Sequence, residues 1–286
     1  MTDPRTNPAP EGVRTDVAHN ARVWNHWLGG TDNHPVDRAV GDRVTAMYPS
    51  IGEVARADRA FLGRAVRYLA GEAGIRQFLD IGTGLPSAGN THEVARRTAP
   101  DCRVVYVDND PAVLALARTL LAGSPPGTTE YVDADARDPE RILRASATTE
   151  YVDADARDPE RILRASASTL DLEWPVAVML LGILNFVLDT DEARRIVRTL
   201  MDALPSGSHL VLTHPTLELG GEGNEAAMRF WNENATPPIT ARTRAEFAAF
   251  LTGLDPVDPG IVSCAHWRGE PGAVRVAQFG AVARKP

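Results

Sequence analysis

Between residues 21 and 74 apolar side chains recur three and four positions apart, and the clearest run, Phe61, Leu62, Ala65, Val66 and Leu69, marks one face of a helix. The pattern predicts helices through ARVWNHWLGG, DRAVGDRVTAMYP and VARADRAFLGRAVRYLAGEAG, with breaks at Gly29-Gly30 and at Pro49. After Gly74 the rhythm changes. Short β-rich runs (QFLDIG, RVVYVD, EYVDAD, PVAVMLLGIL, SHLVLTH) alternate with helical stretches (THEVARRTA, PAVLALARTLLAG, DEARRIVRTLMDAL). Such alternation signals right-handed βαβ units laid side by side in a parallel sheet. A helix through TRAEFAAFLTGL and two more strands, IVSCAHW and VAQFGAVARK, follow, and these are expected to finish the sheet with an antiparallel pair. The fold class is therefore α/β, a mostly parallel seven-stranded sheet with helices on both faces and an N-terminal helical cap.

Three stretches follow from this reading: a loose tail over 1–20, rich in Pro, Asp, Asn and Thr; a cap over 21–74; and an α/β core over 75–286. One feature breaks the pattern. Residues 128–147 (TTEYVDADARDPERILRASA) recur unchanged at 148–167. Two identical copies inside a βαβ pattern do not make a solenoid, which needs several stacked and divergent repeats. One copy fills the strand position, and the other, taken as 148–167, is read as an insertion extruded at the surface, where loop closure costs little.

Composition narrows the function. With 43% hydrophobic residues over 286 positions the chain can fill a large core. No run of eighteen apolar residues occurs, and the N-terminus lacks the basic-then-apolar build of a signal peptide, so a cytoplasmic protein without membrane contact is expected. The formal net charge of −8 works against a nucleic-acid partner, whose affinity comes from clustered cations. Cys102 and Cys264 provide neither a disulfide framework nor metal-ligand spacing. The histidines show no paired metal spacing, His19, His26 and His34 are read as separate surface positions, and no metal is expected. Lysine occurs only at Lys285, which removes it as a catalytic base.

The chemistry concentrates at the C-terminal ends of the expected strands, where open α/β sheets bind ligands. Asp80-Ile81-Gly82-Thr83-Gly84 is a strand running into a glycine turn; glycines admit positive φ and let the backbone approach a ligand. A dinucleotide site would want a third glycine at position 87, which is Ser87. The second strand ends in Asp108-Asn109, an acid 24 residues after Gly84 and suited to accept both hydroxyl protons of a ribose. Asp110, directly before Pro111, is the better helix cap. Asp135, or its copy Asp155, ends the duplicated strand and could accept an adenine amino group, and Gly182 and Asn185 end the fourth strand. Asn185 either orients a substrate or caps the turn.

These residues resemble a known family. The blocks ARVWNHWLGGTDN, ADRAFLGRAVRYLA, FLDIGTGLPSAGNTHEVA, VVYVDNDP, YVDADARDPE, PVAVMLLGILNFV and SGSHLVLTHPT look like those of a bacterial S-adenosyl methyltransferase family whose substrates are largely unassigned. The resemblance runs from about residue 13 to nearly the end of the chain. It implies S-adenosyl-L-methionine (SAM) as cofactor and a class I methyltransferase fold. In that fold Asp80, Gly82 and Gly84 would surround the amino-acid moiety, Asp108 the ribose, and Asp135 or Asp155 the adenine, with Thr83, Asn109 and Gly182 also binding the cofactor; the cap, with its turn at Leu28–Asn33, would close over the site. The family commonly has histidine where this chain has Asn185 and asparagine where it has Asp58, and tyrosine and aspartate at the positions of Trp24 and Asn25.

The expected activity is in-line transfer of the SAM methyl group to a small-molecule acceptor. No dedicated nucleophile is needed, because the sulfonium is already activated and the protein aligns the reactants and excludes water. No catalytic residue is assigned by the sequence. The alternative is a non-catalytic SAM-binding or regulatory protein, for which Asn185 and Asp58 speak. The sequence leaves the oligomeric state open.

Overall fold

The computed structural model describes residues 13–86, 89–122 and 149–286. Three helices lead: α1 (Asn20–Trp27), α2 (Pro35–Met47) and α3 (Ile51–Gly71). Pro35 opens α2, where a missing N–H costs nothing, and the Asp37 carboxylate in the same turn accepts the His34 N–H at 2.8 Å. Along α3 the residues Val54, Phe61, Leu62, Ala65, Val66 and Leu69 are buried, the apolar face expected from their spacing.

Six strands build the sheet: β1 (Gln77–Ile81), β2 (Arg103–Asp108), β3 (Thr149–Asp153), β4 (Ala177–Leu181), β5 (His209–Pro215) and β6 (Gln278–Arg284). Helices α4 (Thr91–Thr98), α5 (Pro111–Ala122), α6 (Pro159–Ser166), α7 (Thr190–Asp202), α8 (Gly221–Asn234) and α9 (Arg244–Ala249) connect or flank them. The spatial order is β3-β2-β1-β4-β5-β6, with the first five strands parallel and β6 antiparallel to β5, from Gln278 opposite Pro215 to Arg284 opposite His209. Two-residue strands at Asp255–Pro256 and Val262–Ser263 pair antiparallel with β6 and bring the sheet, among the described residues, to eight strands, one more than the pattern predicts. The apolar run IVSCAHW yields only the second of these, because the chain turns into a 3-10 segment at Cys264–His266, where Arg64 donates to the carbonyls of Cys264 at 2.7 Å and Trp267 at 2.8 Å.

The sheet is covered on both faces. Phe78 of β1 points into a cluster with Phe61, Leu69, Tyr106 and Trp267, while its neighbours Leu79 and Ile81 join Val105, Val107, Ile162 and Leu180 on the opposite side. From β1 the chain moves outward through β2 and β3, then returns past β1 to β4 and β5. This reversal opens a crevice at the C-terminal ends of β1 and β4. Among the described residues no helix is long and apolar enough to cross a membrane.

Two sequence expectations change. Residues 13–20 are not a loose tail: Ala18–His19 forms a parallel bridge with Ala235–Thr236, and the buried Arg22 guanidinium donates to Val17 O at 2.8 Å, Arg14 O at 3.0 Å and the Asp37 carboxylate at 2.8 Å. Composition could not reveal this, because those anchors lie outside the segment itself. The strand next to β2 is the second copy of the repeat, so 148–167 supplies β3 and α6 rather than an insertion. The first copy, with Asp135, lies outside the described residues. Identical segments have identical propensities, and nothing in the sequence could choose between them.

Since the copies are identical, removing 128–147 or 148–167 yields the same shortened chain. That chain is expected to keep its far-ultraviolet dichroism, melting temperature and SAM affinity, because one copy fills β3 and loop length contributes only logarithmically to closure entropy. Insoluble or unfolded shortened protein would contradict this account of the repeat.

Candidate cofactor cleft

At the end of β1 the backbone turns through Gly82 (φ +72°) and Gly84 (φ +66°), and at the end of β4 through Gly182 (φ +63°). Only glycine adopts such angles without cost. Gly82 N donates to Val107 O at 2.7 Å, and a Cβ at Gly82 would collide with the Ile183 side chain. A Cβ at Gly84 would meet nothing within 4 Å, so the turn faces open space.

Asp108 closes the other side of this turn. Its Oδ2 accepts Gly84 N and its Oδ1 accepts Asp110 N, both at 2.9 Å, which fixes the carboxylate while each oxygen retains a lone pair for another donor. Burial pushes its pKa up to about 6 against these hydrogen bonds. Asp80, 5% exposed, accepts the Thr91 hydroxyl at 2.6 Å, and burial likewise raises it to about 6. Asp110 accepts Ala112 N at 2.8 Å, the helix cap expected of it. Asn109 donates to Asp155 at 3.1 Å, and Asp155 also accepts Arg157 N at 2.9 Å and so stands half-exposed at the cleft edge.

Two cavities meet here. One, of about 320 Å³, is walled by Asp108, Asn109, Asp155, Ala154 and Pro111. The other, of about 250 Å³, is reached by Asp80, Thr83 and Gly182 and extends under the helical cap. Gly82, Gly84, Ile183 and Phe186 line both. All the described site residues anticipated from the sequence thus surround one continuous cleft.

The cap forms the roof of the second cavity. Trp24 and Trp27 of α1 meet edge to face at 5.8 Å, and Trp231 of α8 lies 6.3 Å from Trp27. His19 Nδ1 faces Asp110 Oδ2 at 2.8 Å and ties the segment before α1 to the end of β2. Burial alone would raise Asp110, but its contacts with His19, the Ala112 N–H and Arg22 together outweigh it and hold the carboxyl below its usual value. His26 pairs instead with Asp42 at 2.8 Å, so these histidines serve separate contacts.

The turn after β4 is held from beneath. Arg242, 3% exposed, donates to Leu184 O at 2.8 Å and Val187 O at 2.7 Å, and Thr240 N donates to Asn185 O at 2.9 Å. His214 completes the clamp. Burial, aided by the charge of Arg242, lowers its pKa to about 4, so the ring is neutral; with a proton on Nδ1 for Pro215 O at 2.8 Å, its Nε2 accepts from Arg242 at 2.7 Å. The turn projects Asn185 into the second cavity, where its Oδ1 is buried without a hydrogen-bond partner.

Sequence reasoning missed α8 and Arg242. Gly220, Gly221 and Gly223 at the start of α8 resemble a loop, although Ala227 and Trp231, four residues apart and both buried, carried a helical signal. Arg242 gave none, since its role depends on carbonyls more than fifty positions away.

The cleft suits a cation-bearing nucleoside. A sulfonium and an ammonium gain from the buried carboxylates Asp80 and Asp108, whereas a pyrophosphate would be repelled by them. The pH dependence follows. Both carboxylates have pKa values raised to about 6, so they are ionised and ready to accept hydrogen bonds above pH 6 and lose that capacity below it. SAM affinity should therefore be flat above neutrality and fall by about tenfold per pH unit below 6 for each carboxylate that must be charged. Calorimetric titration from pH 5 to 8 checks this, and an affinity that is constant across the range would contradict it.

A family model described as S-adenosyl methyltransferase matches the chain in two stretches, 6–149 and 144–286, which meet at the junction of the two repeat copies. Among solved structures, a DUF574 family protein from Streptomyces avermitilis is 42% identical, with a TM-score of 0.84 over 95% of this chain and 99% of that one. A candidate methyltransferase from Thermobifida fusca is 36% identical, with a TM-score of 0.83 over 98% of this chain and 99% of that one. A search of curated proteins gives no match. The glycine turn, the carboxylates at the strand ends and these likenesses converge: the chain belongs to the S-adenosyl methyltransferase family, with the Rossmann-like fold of class I methyltransferases and SAM as its cofactor.

Proposed function

We propose that the protein methylates a small-molecule acceptor in the cytoplasm by in-line transfer from SAM. The observation that carries this reading is the meeting of the two cavities at Gly82, Gly84, Ile183 and Phe186, which places a nucleoside-sized cleft directly against a roofed apolar one. Asp108 would hold the two ribose hydroxyls, with Asn109 beside it, and Asp155 would hold the adenine amino group. Asp80, Gly82, Thr83 and Gly84 enclose the amino-acid end together with Gly182, and Arg59 in the same cavity offers positive charge to its carboxylate.

The bound cofactor supplies a methyl group on a positively charged sulfur, whose carbon–sulfur bond breaks as the acceptor's lone pair bonds to carbon and the electron pair returns to sulfur. The chain's contribution is alignment and exclusion of water. The roof residues Trp24, Trp27 and Trp231 keep solvent from the acceptor side. Asp58, buried there and raised by that burial, accepts Gln278 Nε2 at 2.6 Å, and the proton shed by the methylated acceptor atom passes to solvent as the product leaves. The formal charge of −8 supports a small acceptor over a nucleic acid.

The test is incubation with methyl-labelled SAM and fractionated bacterial metabolites. Label appearing in a small-molecule product supports the proposal. Tight SAM binding with no labelled metabolite would favour the non-catalytic reading instead.

A further inference from the structure

We infer that the acceptor is a flat, uncharged aromatic molecule bearing one hydroxyl or N–H donor, stacked among Trp24, Trp27 and Trp231 and oriented by a hydrogen bond to Oδ1 of Asn185. This rests on the methyltransferase reading above. Trp27 and Trp231 present hydrocarbon faces, because Trp27 Nε1 already donates to Gly41 O at 3.2 Å and Trp231 Nε1 to Pro237 O at 2.9 Å. Phe186 and Met228 extend this apolar wall. Of the charged groups at this cavity, Asp58 accepts Gln278 Nε2 and Arg59 donates to Asn90 Oδ1, both at 2.6 Å, so a charged acceptor would shed its water chiefly against the rings, whereas a neutral aromatic gains from ring contact as well as burial.

Asn185 supplies the polar element. It is 6% exposed, yet its Oδ1 has no hydrogen-bond partner, an unfavourable condition unless something donates to it. The side chain lines the acceptor cavity, and the clamp from Arg242 and Thr240 fixes the turn that carries it. A fixed, desolvated acceptor atom in a cavity walled largely by apolar side chains selects a ligand with one donor on an otherwise apolar plane. Such a site rejects a molecule of the same shape that lacks the donor, because the orphaned oxygen then stays unpaired.

Equilibrium dialysis of protein loaded with S-adenosylhomocysteine tests this, with 2-naphthol, naphthalene, ethanolamine and benzoate as probes. The inference predicts that 2-naphthol binds at least about tenfold more tightly than naphthalene, which is about 1.4 kcal/mol, and that ethanolamine and benzoate do not compete. Asn185→Leu should remove the preference for 2-naphthol and leave naphthalene binding unchanged; Asn185→Ala provides a second variant if the first folds poorly. Equal binding of 2-naphthol and naphthalene by the unaltered protein would overturn the inference, as would displacement of 2-naphthol by ethanolamine or benzoate. The two readings fail differently: without S-adenosylhomocysteine binding the cofactor assignment falls, whereas its binding without any affinity for 2-naphthol defeats the acceptor class alone.

Discussion

Asp108→Ala is expected to weaken SAM binding by about ten- to a hundredfold, because hydrogen bonds to a charged group contribute about 1.5–3 kcal/mol. The carboxylate is placed for this by its own backbone contacts: Gly84 N and Asp110 N hold its two oxygens at 2.9 Å, one from each side of the cleft. Removal also leaves those N–H groups without their acceptor, while relieving the burial that raises Asp108 to about 6. The net stability change is therefore expected to be smaller than the loss of affinity. Asp108→Asn keeps one carbonyl acceptor and should fall between wild type and alanine. Calorimetry with SAM, paired with a thermal melt, separates affinity from folding, and an unchanged affinity in a folded Asp108→Ala protein would refute the assignment.

Arg242→Leu is expected to be the most destabilising single change near the site. It leaves the carbonyls of Leu184 and Val187 without their guanidinium donors, at about 1–3 kcal/mol for each buried group. For a chain of this size each kcal/mol corresponds to about 2–4 °C in melting temperature. Arg242→Lys should restore little, since a single ammonium cannot reproduce a fork that reaches two carbonyls and the His214 ring. The loss should spread to Asn185, whose turn the fork holds, so 2-naphthol affinity should fall more than SAM affinity. A melting temperature within 1–2 °C of wild type, which is under about 1 kcal/mol, would show that the clamp contributes little.

The parallel core was legible because both of its periodicities are local. The burial of Phe61, Leu62, Ala65, Val66 and Leu69 follows from helical spacing, and β4 is a contiguous apolar segment. The cofactor side was legible for a related reason, since strand–glycine turn–helix and strand–acid are short motifs whose geometry is set within a few residues. The acceptor side was not. It is assembled from α1, the turn at Leu184–Phe186 and α8, which are far apart in the chain. Asn185 had two open readings, and only the clamp by Arg242 and the unpartnered Oδ1 favour orientation of a ligand. The bridge between Ala18–His19 and Ala235–Thr236 was equally hidden, because a two-residue parallel pairing across 217 positions leaves no periodic trace.

The most direct test of the central claim is a calorimetric titration of the intact chain with SAM, S-adenosylhomocysteine and NADH. The cleft framed by Gly82, Gly84 and Asp108 predicts one-to-one binding of SAM and S-adenosylhomocysteine and no binding of NADH, whose pyrophosphate meets two carboxylates and an incomplete glycine pattern at Ser87. Binding of NADH in preference to SAM would contradict it.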